Sequence, residues 1–445
     1  MTNPDLLITG ATLPDGTRAD ILVEGTRVSA VGQGLSSASA TKIDADGLIA
    51  LPGLVDLHTH LREPGYEQSE TVLTGTQAAA LGGFTSVFAM ANTLPVADTA
   101  GVVEQVLRLG DEAGYATVRP IGAVTKGLEG LQLAELGAMA NSRAAVRVFS
   151  DDGKCVFDPL IMRRALEYVK TFGGVIAQHA QEPRLTVDAQ MNEGEVSARL
   201  GLAGWPAVAE ESIIARDVLL AEHTGSRLHI CHLSTAGSVD VIRWAKKRGI
   251  NVTAEVTPHH LLLTDERAES YDARFKVNPP LRRAEDVMAL REALADGTID
   301  IVATDHAPHP VESKDCEWGA AAFGMVGLES ALAVVQTTMV ETGLIGWAEV
   351  ARVMSEAPAR IGGLTTHGQR IEPSIQAELV LVDPSTRRNF GVEDLASLSH
   401  NTPYLGIELS GQVVSTIHQG YLTASDRHVV TAETVAAQAE LVARG

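Results

Sequence analysis

Residues 52–65, PGLVDLHTHLREPG, constrain this chain more than any other stretch. The apolar run 54–57 has the length of a strand buried on both faces, and it ends in two histidines one residue apart. Side chains two apart on a strand leave the same face, so His58 and His60 can offer both imidazoles to one point, which is a metal geometry. A lone histidine on an apolar strand is more often a hydrogen-bonded core residue, so the weight of the pair depends on what the remaining strands carry.

The pattern changes along the chain. Short alternating stretches at 6–13, 19–31 and 42–50, broken by Asp15-Gly16, Glu24-Gly25 and Asp46-Gly47, read as hairpins of a small β unit. After Gly53, brief apolar runs alternate with helical stretches, which predicts βαβ units and a parallel sheet. The predicted strands are 54–57, 85–89, 117–121, 145–149, 175–177, 228–230, 252–256 and 299–303. Helices between them include 71–81, 102–112, 159–170, 211–222 and 238–247. Eight repeats are the count of a (β/α)8 TIM-like barrel, which takes about 250 residues. Two more helical stretches, 328–341 and 348–355, precede β-like segments at 377–382 and 412–418, and the last fifteen residues read as Ala-rich and helical or frayed. The expected division is a catalytic barrel over 53–365 and a small composite β domain from 1–52 plus 366–445.

Charge excludes some partners. With 35 basic and 56 acidic residues the formal charge is −21, which opposes nucleic acid and anionic membranes. An anionic substrate would have to be met by local cations. Cys155, Cys231 and Cys316 show no CxxC spacing, so neither a disulfide framework nor a cysteine zinc site is suggested. There is no secretory-type start and no apolar run of membrane-spanning length, so a cytoplasmic protein is expected.

In a β/α barrel the active site lies at the C-terminal strand ends. Strand one ends in His58 and His60, strand four in Asp151-Asp152-Gly153, strand five in His179, strand six in His232 and strand eight in Asp305. This nitrogen and oxygen set suits zinc, which can lower the pKa of a bound water to about 7 and polarise a carbonyl. Each residue alone has an ordinary structural explanation, as a cap or a buried hydrogen-bonding group. Recurrence at the same end of five strands does not.

HTHLREPG at 58–65, FSDDG at 149–153, TPHHLLLTD at 257–265 and ATDHAPH at 303–309 resemble, in that order, the motifs of bacterial monofunctional dihydroorotases of the amidohydrolase superfamily. The flanking β unit is similar to that superfamily's small composite domain. The resemblance implies a zinc-dependent, reversible cyclisation of N-carbamoyl-L-aspartate to L-dihydroorotate in pyrimidine synthesis. It implies one zinc on His58, His60 and Asp305, a second on His179 and His232, and a bridge through Asp152 where many relatives use a carbamylated lysine; one or two ions per chain are expected. Asp151 and Lys154 stay open as rival ligands. Asp305 would also move the proton, or serve as a ligand only. Arg62, Asn92 and His309 would bind the substrate α-carboxylate, Asn278 would contact substrate, and the backbone of Phe323 and Gly324 would meet the ring amide.

His259, His260 and His306 are expected in structural or supporting roles, and His223, His229, His367, His400, His418 and His428 as ordinary residues. The Gly-containing segment 310–324 reads as a lid. A homo-oligomer is expected, and a complex with aspartate transcarbamoylase is left open. The alternatives are another cyclic amidohydrolase, such as a dihydropyrimidinase or allantoinase, or a non-catalytic subunit that scaffolds the transcarbamoylase.

Overall fold

A computed structural model of the chain describes residues 5–431. Eight parallel strands carry the centre: β1 (Leu54–Thr59), β2 (Phe84–Ala89), β3 (Thr117–Pro120), β4 (Val148–Phe149), β5 (Val175–Gln178), β6 (Arg227–Ile230), β7 (Val252–Val256) and β8 (Ile301–Val302). They pair in sequence order as two sheets, one of β1 to β3 and one of β4 to β8. The single closed ladder expected from the sequence is therefore interrupted. At the two seams the only pairings among the described residues are isolated parallel bridges, Gly122 with Phe149 and Thr59 with His306.

Local backbone explains the interruptions. Ala145 has φ of 46°, so β4 cannot begin there, and Asp305 has φ of 47°, so the chain has left strand geometry just beyond β8. β1 keeps its predicted character, with every residue buried.

The helices begin where capping chemistry allows. Thr71, Asp158 and Thr235 each accept a backbone N–H at the start of Val72–Leu81, Pro159–Val169 and Ala236–Lys247. Thr71 is thus a cap, not the first helical residue. The stretches expected after residue 327 are helical but irregular, Ala331–Val335 and Trp347–Ala351 each running into a wider π-helical turn.

One core fills the space inside the strands. Val55, Leu57, Phe88, Ile121, Val175 and Ile301 pack with Ala357, Ala359 and Ile361 of the helix Ala357–Gly362. Arg227, the first residue of β6, donates to the Ile361 carbonyl at 2.7 Å, which sets this helix against the N-terminal strand ends. The C-terminal ends are left for the polar residues.

A nine-stranded sheet stands outside, built from segments before residue 53 and after residue 378. Its join is the antiparallel pairing of Ile49–Pro52 with Leu379–Asn389. The chain passes from Pro52 through Gly53 into β1, and the Gly53 N–H donates to the Glu378 carbonyl at 2.8 Å. The predicted helical or frayed C-terminal stretch lies, from residue 432 onward, outside the described residues. Among the described residues no helix is long and apolar enough to cross a membrane.

Gly110 tests the packing of a helix on this sheet. It lies in Ala100–Ala113, and a Cβ there would stand 2.4 Å from Val118 Cβ on β3. Helix propensity favours alanine by about 1 kcal/mol, whereas overpacking costs about 1–3 kcal/mol. Gly110→Ala is therefore expected to lower stability in urea denaturation; a stabilised variant would show that the helix can move off β3.

Candidate metal centre

The strand ends converge as their spacing predicts. His58 Nε2 lies 3.3 Å from both Asp152 Oδ1 and Asp305 Oδ1, and His60 Nε2 lies 3.2 Å from Asp152 Oδ2 and 3.1 Å from Asp305 Oδ1. On the other side of Asp152, Oδ1 is 3.3 Å from His179 Nδ1 and 3.4 Å from His232 Nε2. One carboxylate thus faces four imidazoles, and all six side chains are buried.

The donor set fits metal. His58 Nε2 is buried without a hydrogen-bond partner, and His179 Nδ1 and His232 Nε2 point at each other across 2.9 Å. The ligand-type atoms fall into two groups that share Asp152: His58, His60, Asp152 and Asp305, and Asp152, His179 and His232. Nitrogen and carboxylate oxygen in this proportion are zinc-type ligands.

The charges are mutually dependent. Burial alone would lower the His58 pKa, but Asp152, Asp305 and Glu255 outweigh it and hold it well above the imidazole range. Burial alone would raise both aspartates. The His58 charge, with the imidazoles of His179 and His232 close beside it, holds Asp152 well below the carboxylate range, and His58 with His60 brings Asp305 to about 2. Both therefore stay ionised at neutral pH.

Supporting contacts aim these ligands. Glu255 on β7 accepts from His58 Nδ1 at 2.7 Å and from His229 Nε2 at 2.9 Å, which turns His58 Nε2 into the centre. His229 is thus part of the site's support and not an ordinary residue. Asn92 Oδ1 accepts from His60 Nδ1 at 2.9 Å, and Gln181 Oε1 accepts from His179 Nε2 at 2.8 Å. Asp56, inside β1, accepts from Thr304 N at 2.9 Å and Thr304 Oγ1 at 2.5 Å, locking β1 to the exit of β8. Sequence reasoning missed Glu255, Gln181 and Asp56. A carboxylate inside an apolar strand was the available signal for Asp56 and Glu255, since such a group must be paired when buried.

The rivals at the end of β4 are separated by geometry. Asp151 accepts from Val124 N at 2.8 Å, Thr125 N at 2.9 Å and Thr125 Oγ1, turned away from the histidines, while Lys154 is exposed. Cys231, beside His58 and Glu255, has its thiol pushed up by burial and stays protonated.

Arg62, His232 and Asp305 all have positive φ, at 63°, 33° and 47°. Such conformations cost of order 1–3 kcal/mol each and persist where surrounding bonds over-determine them.

The expected substrate residues lie around this centre. Arg62 Nε donates to the Pro308 carbonyl at 3.1 Å, with Nη2 3.4 Å from His309 Nε2. Burial lowers the Arg62 guanidinium only to about 10, and burial with the Arg62 charge brings His309 to about 3, so His309 is neutral beside a cation. Asn278 Nδ2 donates to Gln181 Oε1 at 3.1 Å, and its buried Oδ1 has no hydrogen-bond partner. Asn278 and Phe323 line a cleft of about 890 Å³ beside Gly153. Gly324 differs from expectation: its N–H donates to the Lys276 carbonyl, and its carbonyl accepts from Lys314 Nζ and Asn401 Nδ2, so both backbone groups are engaged inside the protein.

His259 is buried with Nε2 unpartnered. His260 accepts from Thr257 Oγ1 and donates to the Pro280 carbonyl, and His306 donates to Glu70. The last two brace loops.

Segment 310–324 is docked. Lys314 Nζ, buried, donates to the carbonyls of Lys276, Ala322 and Gly324, Lys276 Nζ donates to Trp318 O, and Trp318 is buried. Burial lowers Lys276 to about 8, and burial with the Lys276 charge lowers Lys314 to about 7.

A model of the family described as Dihydro-orotase-like matches residues 47–238. The chain is 73% identical over 430 residues to a dihydroorotase of Leifsonia xyli, covering 97% of this chain and 98% of the relative. It is 69% identical to a dihydroorotase of Streptomyces coelicolor, covering 94% and 98%. Among solved structures, the L-hydantoinase (dihydropyrimidinase) of Arthrobacter aurescens superposes with a TM-score of 0.86 at 26% identity, covering 97% of this chain and 98% of that one. The fold is thus the α/β fold of cyclic amidohydrolases.

Glu255→Gln is expected to weaken metal affinity about 10- to 100-fold, read by competition with a chromophoric chelator; unchanged affinity would show that His58 is aimed by packing alone. The lysines of the docked segment carry a pH dependence. The unfolded or open segment binds protons up to the ordinary lysine range, above the folded value of about 7 for Lys314. Closure is therefore weakest near that value and strengthens as pH rises toward about 10. Hydrogen-exchange protection of 310–324, corrected for intrinsic rates, should rise over that window, and a flat profile would reject the lysine linkage.

Proposed function

The chain belongs to the dihydroorotase family, and on that premise we propose that its strand-end centre interconverts N-carbamoyl-L-aspartate and L-dihydroorotate, with loss of water on cyclisation, in pyrimidine biosynthesis. The observation that carries the reading is a carboxylate shared by four buried imidazoles, with Asp305 on one side and the Arg62 guanidinium nearby.

Within the same proposal, His58, His60 and Asp305 would hold one zinc, His179 and His232 would hold a second, and Asp152 would serve both. Zinc bound there would supply Lewis acidity for acidifying a water and polarising the amide carbonyl. Asp305, ionised and 3.1 Å from His60 Nε2, is free to accept a proton and pass it on. In hydrolysis its carboxylate takes the proton from the attacking water and delivers it to the ring nitrogen as the C–N bond breaks. In cyclisation it takes a proton from the carbamoyl amino group and returns it to the departing hydroxide.

Arg62 meets the substrate carboxylate through two charge-assisted hydrogen bonds, with the neutral His309 beside it. Asn92 offers its amide nitrogen, since Oδ1 is occupied by His60. Asn278 offers its unpartnered Oδ1 to a ring N–H. Phe323 contributes from the rim of the cleft, and Gly324 holds the rim in place. The eight strands are read as a (β/α)8 barrel closed through the bridges at Gly122 and Thr59, spanning 53–365, with the outer domain formed, among the described residues, by 5–52 and 366–431.

Zinc-loaded protein is expected to hydrolyse L-dihydroorotate in strong preference to dihydrouracil and allantoin assayed alongside; turnover of none of the three, or equal turnover, would overturn the reading. Arg62→Met should raise KM for dihydroorotate about 100-fold, the loss of about 3 kcal/mol of charge-assisted hydrogen bonding. A KM within a few-fold of the parent would remove Arg62 from the carboxylate site.

A further inference from the structure

A third group of ligand-type side chains, unconnected with the strand-end centre, lies at the opposite end of β1. It consists of His367, Glu378 and His418. His367 follows the helix Ala357–Gly362 in a stretch with no helix or strand, Glu378 precedes Leu379–Asn389, and His418 ends Glu408–His418. All three are at most 5% exposed. The sequence reading treats both histidines as ordinary, because nothing in their local spacing links them.

Their contacts are those of an incomplete ligand set. His418 Nδ1 lies 2.9 Å from Glu378 Oε2, and Gln419 N donates to Glu378 Oε1 at 3.3 Å. His367 Nε2 stands 3.6 Å from Glu378 Oε1, beyond hydrogen-bond reach, and is buried with no hydrogen-bond partner. Its other ring nitrogen is 3.1 Å from Thr366 Oγ1, which fixes the ring plane. Among the described residues, Glu378 forms ion pairs only with these two imidazoles. Glu378 is paired on one side by His418 and Gln419 N, but a buried imidazole aimed at it without a partner is costly unless something is held between them.

We propose that His367, Glu378 and His418 bind one divalent cation of the zinc class, as a structural centre separate from the catalytic one. Two nitrogens and a carboxylate oxygen match zinc's preference, and ligand bonds of about 2.1 Å place tetrahedral donors about 3.4 Å apart. His418 Nδ1 at 2.9 Å from one Glu378 oxygen and His367 Nε2 at 3.6 Å from the other lie close to that spacing, with the ligand atoms of all three residues within 4.8 Å of one another. The Glu378 carbonyl accepts from Gly53 N, so the centre sits at the entry to β1, roughly 20 Å along the strand from His58 and His60. Bound there, the ion ties the irregular stretch after residue 362 to two strands of the outer sheet and, through Gly53, to the strand that carries the catalytic histidines.

The test is anomalous diffraction from crystals of the wild-type protein soaked in zinc, with data above and below the zinc edge. A peak within bonding distance of His367, Glu378 and His418, in addition to density at Asp152, is the expected result. Density at Asp152 with none at Glu378 overturns the proposal. Independently, His367→Ala purified with zinc should hold about one equivalent less metal per chain than the parent, by elemental analysis, while dihydroorotate turnover is retained and the melting temperature falls. A variant with the parent's metal content also overturns it, and an insoluble variant leaves the diffraction result to decide.

Discussion

Much of this structure depends on one buried carboxylate. Asp152 faces four imidazoles within 3.4 Å, and the charge of His58 among them holds it ionised in a buried site. A buried anion is tolerated only when paired and hydrogen-bonded. Here Glu255, Asn92 and Gln181 each take the second ring nitrogen of a histidine, leaving the first for the centre. The same bonds that fix the tautomers make the site a ready set of metal donors.

That arrangement in turn requires strand ends held against one another. Asp56 does this at the seam where regular pairing fails, binding Thr304 across from β1 so that His58 and His60 stand opposite Asp305. The interruption of the ladder and the positive φ of Asp305 belong together: the chain gives up strand geometry at that point to turn a carboxylate inward. At the other end of the strands the helix Ala357–Gly362 fills the space with alanine and isoleucine. Stability and chemistry thus occupy opposite ends of the same eight strands.

Charge is handled locally. The chain carries 56 acidic against 35 basic residues, so its overall field repels the dicarboxylate substrate proposed for it. In the proposed function Arg62 compensates at short range. It is partly buried, it keeps its charge because its pKa falls only to about 10, and its neighbour His309 remains neutral and does not compete for the anion. The docked segment beside it is held by lysines whose side-chain nitrogens donate to backbone carbonyls, not to acids.

Several elements were legible in the sequence because their causes are local. The period-two spacing of His58 and His60, the turn signals before residue 52 and the β/α alternation follow from geometry within a few residues, whereas the caps Thr71, Asp158 and Thr235 emerged only with the structure. So did the candidates at the strand ends, since the end of a strand can be counted from its apolar run. What only the tertiary structure decided involves partners far apart in the chain. Asp152 was separated from Asp151 by Thr125 and Val124, which lie about a strand and a helix earlier. Glu255 acquired its role from His58, 197 residues away. His367 and His418 became neighbours only when the outer sheet closed on Glu378. A sequence specifies which side chains can bond and at what local period. Which of them meet depends on how the strands stack and where burial leaves a polar group in need of a partner, and those constraints exist only in the folded chain.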